Sequence, residues 1–182
     1  SEGRNAICKM AEIIGKINAL NNQRDGVTIN VGFVQGGEAV NVVPDLCMCR
    51  LDVRVPNHND ADWVQNNLTG IVQAANQDPD YKLEMHGKFG RKPKVLTLEI
   101  EKLYKLVQTI GAGLGQKISW QPSGGCCDGN NLAAVGLPNV DTLGVRSGGT
   151  HSADEYLIIA SFVERTQLLL NILTHLSDNG FK

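Results

Sequence analysis

Apolar residues recur at helical spacing from Asn5 to Leu20, at Ile7, Met10, Ile13, Ile14, Ile17 and Leu20. That spacing predicts a helix with one buried face. After a polar stop at Asn21–Gln23 and Asp25-Gly26, the period changes to two. Val27, Ile29, Val31 and Phe33 alternate with Thr28, Asn30 and Gly32, which predicts a half-buried strand. A second strand region runs from Glu38 to Val55, with Cys47, Cys49, Leu51, Val53 and Val55 on one face and Met48, Arg50, Asp52 and Arg54 on the other. Pro44 interrupts it and cannot donate a ladder hydrogen bond, so an edge, bulge or bend is expected there. Asn57–Asp60 reads as an N-cap cluster before a helix burying Val64, Leu68, Ile71, Val72 and Ala75. Tyr81, Leu83 and Met85 then alternate with Lys82, Glu84 and His86, predicting a third strand. The block reads α-β-β-α-β. One strand ahead of it would complete the β-α-β-β-α-β sandwich, two helices on one face of an antiparallel sheet.

The Gly-, Pro- and Lys-rich stretch Gly87–Lys94 predicts a hinge. Two domains are expected, 1–88 and 89–182. In the second, Leu98, Leu103, Leu106, Val107, Ile110 and Leu114 mark a helix; Ile118–Trp120 and Val140–Leu143 are short strands around a helix at Asp128–Val135. The last helix buries Ile158, Ile159, Phe162, Val163, Thr166, Leu169, Leu170, Leu173 and Leu176. This α-β-α-β-α rhythm predicts parallel α/β layering. Two or three strands are too few to cover both faces of such a sheet, so this block reads as part of a larger domain. The overall fold class is α/β: an α+β first domain and a partial α/β second one.

Charge narrows the function. Seventeen Lys and Arg against 19 Asp and Glu leave a net charge of −2. No basic field exists to collect phosphates, which argues against a nucleic-acid binder. No apolar run approaches the ~18 residues that span a bilayer. Ser1–Arg4 shows no initiator Met, basic region or apolar stretch, so no signal peptide is visible and a piece of a longer protein is expected. Five Cys with gaps of zero and one residue do not form a disulfide framework; a reducing, cytoplasmic compartment fits.

Three glycine-rich stretches invite chemistry. Gly111–Gly115 looks like a nucleotide loop but follows a helix, so it reads as a helix end. Ser123–Asn130 is a strand-to-helix turn. Its backbone N–H groups could hold an oxyanion, or Asp128 is simply an N-cap. A nucleophile at Cys126 or Cys127 lacks an identifiable His partner. Gly148–Glu155 places His151 in a loop before a helix. It is either a metal ligand or a polar loop His, since zinc needs three or four ligands. His58, His86 and His175 receive no role. Asn41 and Arg54 stand 13 apart and would face opposite ways on a straight strand; a bulge at Pro44 would bring both to one face. Arg54 suits a carboxylate clamp, or it pairs across a solvated sheet.

Taken in order, GRNAI (Gly3–Ile7), NVVP…LDVR (Asn41–Arg54), GRKP (Gly90–Pro93), SGGCCDGN (Ser123–Asn130) and GGTHSADEY (Gly148–Tyr156) resemble the M20 metallopeptidases over essentially the whole chain. The glutamate carboxypeptidase (carboxypeptidase G2-like) branch is the most similar. The resemblance implies most of a lid domain that dimerises, followed by the C-terminal half of a catalytic domain. It implies hydrolysis of amide bonds in N-acyl amino acids or small peptides with a free carboxylate, by water shared between two zinc ions. His151 would be the C-terminal zinc ligand. Arg54 would hold the substrate carboxylate, Asn41 would help bind substrate, and Gly125 and Cys126 would line the pocket. Relatives usually carry Thr-Ser where this chain has Cys126-Cys127. The family's H-x-D motif, bridging Asp, Glu-Glu pair and lid His are absent. The expectation is therefore a hydrolase fragment that is inactive and binds zinc poorly alone, and a homodimer through the lid. The alternative is a non-catalytic dimerisation module.

Overall fold

The computed structural model describes residues 3–181. Ser1 and Glu2, on which the reading of the chain's start partly rests, lie outside the described residues. The chain divides into two compact units, Ser1–Lys94 and Val95–Lys182.

In the first unit, α1 (Ala6–Asn18) starts where the Asn5 side chain accepts the Cys8 N–H at 3.0 Å. Met10, Ile13 and Ile17 give it the buried stripe that the spacing predicts. β1 (Thr28–Gly36) and β2 (Cys47–Arg54) pair antiparallel, and α2 (His58–Ala75) follows under an Asn57 cap. The core joins α1 and α2 to Val27, Ile29 and the inner face of β2. Asp60 is buried at the start of α2. Arg24 Nη1 donates to it at 2.8 Å and Asn57 Nδ2 at 2.6 Å, so the buried carboxylate is paired.

The hairpin corrects three expectations. The bulge lies at Gly32, between the pairs Val31↔Leu51 and Phe33↔Arg50, and not at Pro44. One extra residue reverses the alternation beyond it. Phe33 is therefore not on the core face with Val27 and Ile29. It is 41% exposed, and the Arg50 guanidinium lies 5.1 Å from its ring centre. Pro44 and Asn41 fall in the connection between the strands rather than within a strand.

The third strand, Tyr81–His86, joins no ladder. Tyr81 and Leu83 still alternate with exposed Lys82 and Glu84. In a split β-α-β sandwich the last strand pairs with the first, and among the described residues no such strand stands beside this extended segment. The Asn76 side chain takes its place: Leu83 N–H donates to Oδ1 at 2.7 Å, and Nδ2 donates to Leu83 C=O at 2.9 Å. Asn21 does the same for Ile29 at 2.8 and 2.9 Å, on the edge of β1 turned away from β2. Each Asn follows a helix and satisfies one residue of the extended segment after it.

The second unit contains α3 (Leu98–Gly113), α4 (Asp128–Ala134), the two-residue strands β3 (Ser147–Gly148) and β4 (Tyr156–Leu157), and α5 (Ser161–Asn179). Its core packs Val107 of α3 on Leu168 and Ile172 of α5, with Ile118, Trp120, Val140 and Leu143 against them. The parallel layering expected here is not formed. Ile118–Trp120 and Val140–Leu143 contribute core side chains without ladder partners, and the β3–β4 pair is antiparallel. Gly111–Gly115 ends α3, with Gly115 at φ 72, as the helix-end reading predicts. The face expected to be buried on α5 is corrected: Leu168 and Ile172, which lie outside it, are the buried apolar residues, while Phe162, Val163, Leu169, Leu170 and Leu173 are 45–64% exposed and Leu176 is half-buried.

Candidate functional site

Two loops of the second unit carry the expected chemistry. The first runs into α4. Cys127, not Asp128, is the N-cap: its Sγ accepts the Gly129 N–H at 3.3 Å, and the Asn130 side chain returns to the Cys127 N–H at 3.0 Å. Asp128 is the first helical residue. The same thiol donates to Asp141 Oδ2 at 3.1 Å, and Asn139 Nδ2 donates to the Gly129 carbonyl at 3.1 Å. A Cβ on Gly129 would stand 2.6 Å from Asn139 Oδ1 and 2.8 Å from Asp141 Oδ2, so only glycine fits this packing. Gly125 and Cys126 precede the cap and are exposed. The Gly125 N–H donates to Ser123 Oγ at 3.2 Å. The sequence reading missed Asn139 and Asp141, because nothing local ties residues 10–14 positions downstream to the cap.

The second loop is held by β3 and β4. Tyr156 lies against Gly148, where a Cβ would meet its hydroxyl at 2.6 Å. Ser152 closes the base: its N–H and Oγ both donate to the Gly149 carbonyl, at 3.0 and 2.7 Å. His151 is exposed at the apex with φ 67, and its N–H donates to Glu155 Oε2 at 3.2 Å.

Arg54 and Asn41 belong to the first unit. Arg54 is the last residue of β2, paired with Thr28. It is exposed, and its Nε donates to Asp52 Oδ2 at 2.8 Å along its own strand. Asn41 is exposed in the connection at the other end of the hairpin. A ladder of roughly 20 Å or more, at about 3.3 Å per residue, separates them within one chain. The structure therefore does not bring these two side chains together.

A metal pair needs several converging donors. Among the described residues no group of three or more His, Cys, Asp or Glu is placed to hold a metal ion. No described helix is long and apolar enough to cross a membrane.

Comparison with known proteins places this geometry in a family context. Residues 1–79 match the peptidase dimerisation domain of the M20 family. A probable carboxypeptidase of Uncinocarpus reesii is 27% identical over 113 residues, which is 54% of this chain and 25% of that protein. Among solved structures, a tripeptidase from Staphylococcus aureus superposes with a TM-score of 0.85 at 23% identity, over 98% of this chain and 47% of that one. An aminopeptidase PepT from Bacillus cereus gives 0.71 at 18% identity, over 95% and 46%. A dinuclear metal-binding M20 peptidase from Bacillus subtilis gives 0.69 at 16%, over 92% and 45%. The chain thus spans a quarter of the curated relative and just under half of these solved chains.

Proposed function

We propose that the chain, whose residues 1–79 match the peptidase dimerisation domain of the M20 family, is the lid and the C-terminal catalytic portion of a metal-dependent amide hydrolase. Its substrates are small peptides or N-acyl amino acids with a free carboxylate, as in the glutamate carboxypeptidase branch. The observation that carries this is the superposition of 98% of the chain on 47% of a tripeptidase, with the His151 loop exposed and pinned at both ends. Zinc is the metal proposed, and His151 its one ligand from these residues. In this reading the remaining donors are not among the described residues, where no group of three or more candidate donors is placed to hold a metal ion.

Arg54 is proposed to bind the substrate carboxylate by exchanging its partner Asp52 for substrate. Asn41, at the far end of the hairpin, is proposed to serve the site of a second copy. Gly125 and Cys126 line the pocket in this reading, and a sulfur at 126 gives weaker hydrogen bonds than a hydroxyl. The lid forms the homodimer. A second reading is a dimerisation module without catalysis, which the family match on residues 1–79 favours.

Variants of the full-length protein separate the two. His151→Ala is expected to abolish turnover and lower bound metal while the dimer, read by sedimentation, persists. Retained turnover removes His151 from the site. Arg54→Ala is expected to raise KM for substrates with a free carboxylate and leave carboxylate-free analogues unaffected. An equal effect on both substrate classes removes the clamp.

A further inference from the structure

His151 occupies the left-handed region at φ 67, which residues with a Cβ rarely adopt. Something must hold it there. Ser152 is committed elsewhere: its Oγ donates to the Gly149 carbonyl at 2.7 Å and accepts the Asp154 N–H at 3.2 Å. The Glu155 N–H donates to the Ser152 carbonyl at 3.3 Å, which turns the chain back beneath the apex. The Glu155 carboxylate then reaches up to the His151 N–H. A bond from a backbone N–H to an ionised carboxylate is charge-assisted and stronger than a neutral one.

We propose that Glu155 is the positioning residue of this loop, fixing the backbone of His151 in its left-handed conformation so that the imidazole projects from the apex in one orientation. The proposal rests on the reading of His151 as a site residue. It gives Glu155 a positioning role through the backbone of His151, made by its Oε2. A histidine that serves a site must arrive already oriented, and partners around it usually supply that order. Here the partner acts on the residue's backbone.

The test uses nuclear magnetic resonance on the 182-residue chain, in which His151 is one of four histidines. In Glu155→Ala the His151 amide is expected to exchange roughly three- to tenfold faster. Its imidazole signals move while those of His58, His86 and His175 stay. Glu155→Gln keeps an acceptor oxygen and is expected to restore both readouts. The proposal is overturned if Glu155→Ala leaves the His151 amide and imidazole unchanged, or if Glu155→Gln disturbs them as far as Glu155→Ala does. Failure of the site reading looks different: His151→Ala would leave the full-length enzyme active while the Glu155 coupling in this chain persists.

Discussion

At the scale of single residues, charge and thiol chemistry give readable handles. Lys9 Nζ donates to Asp78 Oδ2 at 3.1 Å, and the Asp80 N–H donates to Asp78 Oδ1 at 3.2 Å. Lys9 first, then that backbone N–H, hold the Asp78 carboxyl below its ordinary value of 3.8. A lowered acid pKa contributes stability that is complete above the ordinary value and is lost as pH falls through the folded one. Asp78→Asn is therefore expected to flatten the loss of stability in acid, read by the urea midpoint from neutral pH downward. An unchanged acid slope would show that the pair is inert. The effect is small because the groups are exposed. Thiols follow burial. Burial first, then neighbouring Cys47, pushes the Cys49 thiol up, whereas Cys8 and Cys126 are exposed. Timed alkylation with mass spectrometry should label Cys8 and Cys126 well before Cys49. Early labelling of Cys49 would mean that β2 is not packed as described.

At the scale of elements, the two asparagines that stand in for strand neighbours are the most testable feature. Asn21→Ala leaves the N–H and C=O of Ile29 without their partner, and Asn76→Ala does the same to Leu83. Asn21→Ala, whose bonds are partly buried, is expected to cost about 1–3 kcal/mol in urea unfolding, and Asn76→Ala, whose bonds are exposed, about 0.5–1.5 kcal/mol, with Asn→Asp retaining part of it as an acceptor only. No loss in either variant would mean that water satisfies these groups equally well. The elements also show what the sequence could reveal. The helix start at Asn57 was legible because a capping side chain acts on a residue three positions away, whereas the cap at Asn5 was not read. The inward face of β2 was legible because it keeps strict period two. Phe33 was misplaced because a bulge at Gly32 shifts phase without changing the pattern of residue types. The Cys127 cap was hidden because sulfur is not among the usual capping atoms and its partner Asp141 is 14 residues away. Tyr81–His86, Ile118–Trp120 and Val140–Leu143 read as strands from their own residues, but a ladder also requires a neighbour, and among the described residues none of them has one.

At the scale of the whole molecule, the two units differ in how far they stand alone. The first has a continuous core across both helices and the hairpin. The second has a smaller core around Val107, Leu168 and Ile172, with Ile100 and Leu103 also buried, and a last helix whose Phe162, Val163, Leu169, Leu170 and Leu173 face water. A helix apolar on both sides belongs in an interior. That exposed face and the extended segments without ladder partners among the described residues are what the proposed reading, part of a catalytic domain, expects. The first unit is then expected to unfold cooperatively at the higher urea concentration, and tryptophan fluorescence of Trp63 and Trp120, each kept singly, would resolve the two transitions. Coincident transitions would show that the second unit is stabilised as well as the first. The central claim is that these residues form part of a metal-peptidase site and not the whole of one. Its most direct test is a zinc titration of the 182-residue chain in competition with a chromogenic chelator. The account predicts that the chelator keeps the zinc; one or two equivalents taken from it by the chain, and lost again in His151→Ala, would contradict the account by showing a complete site within these residues.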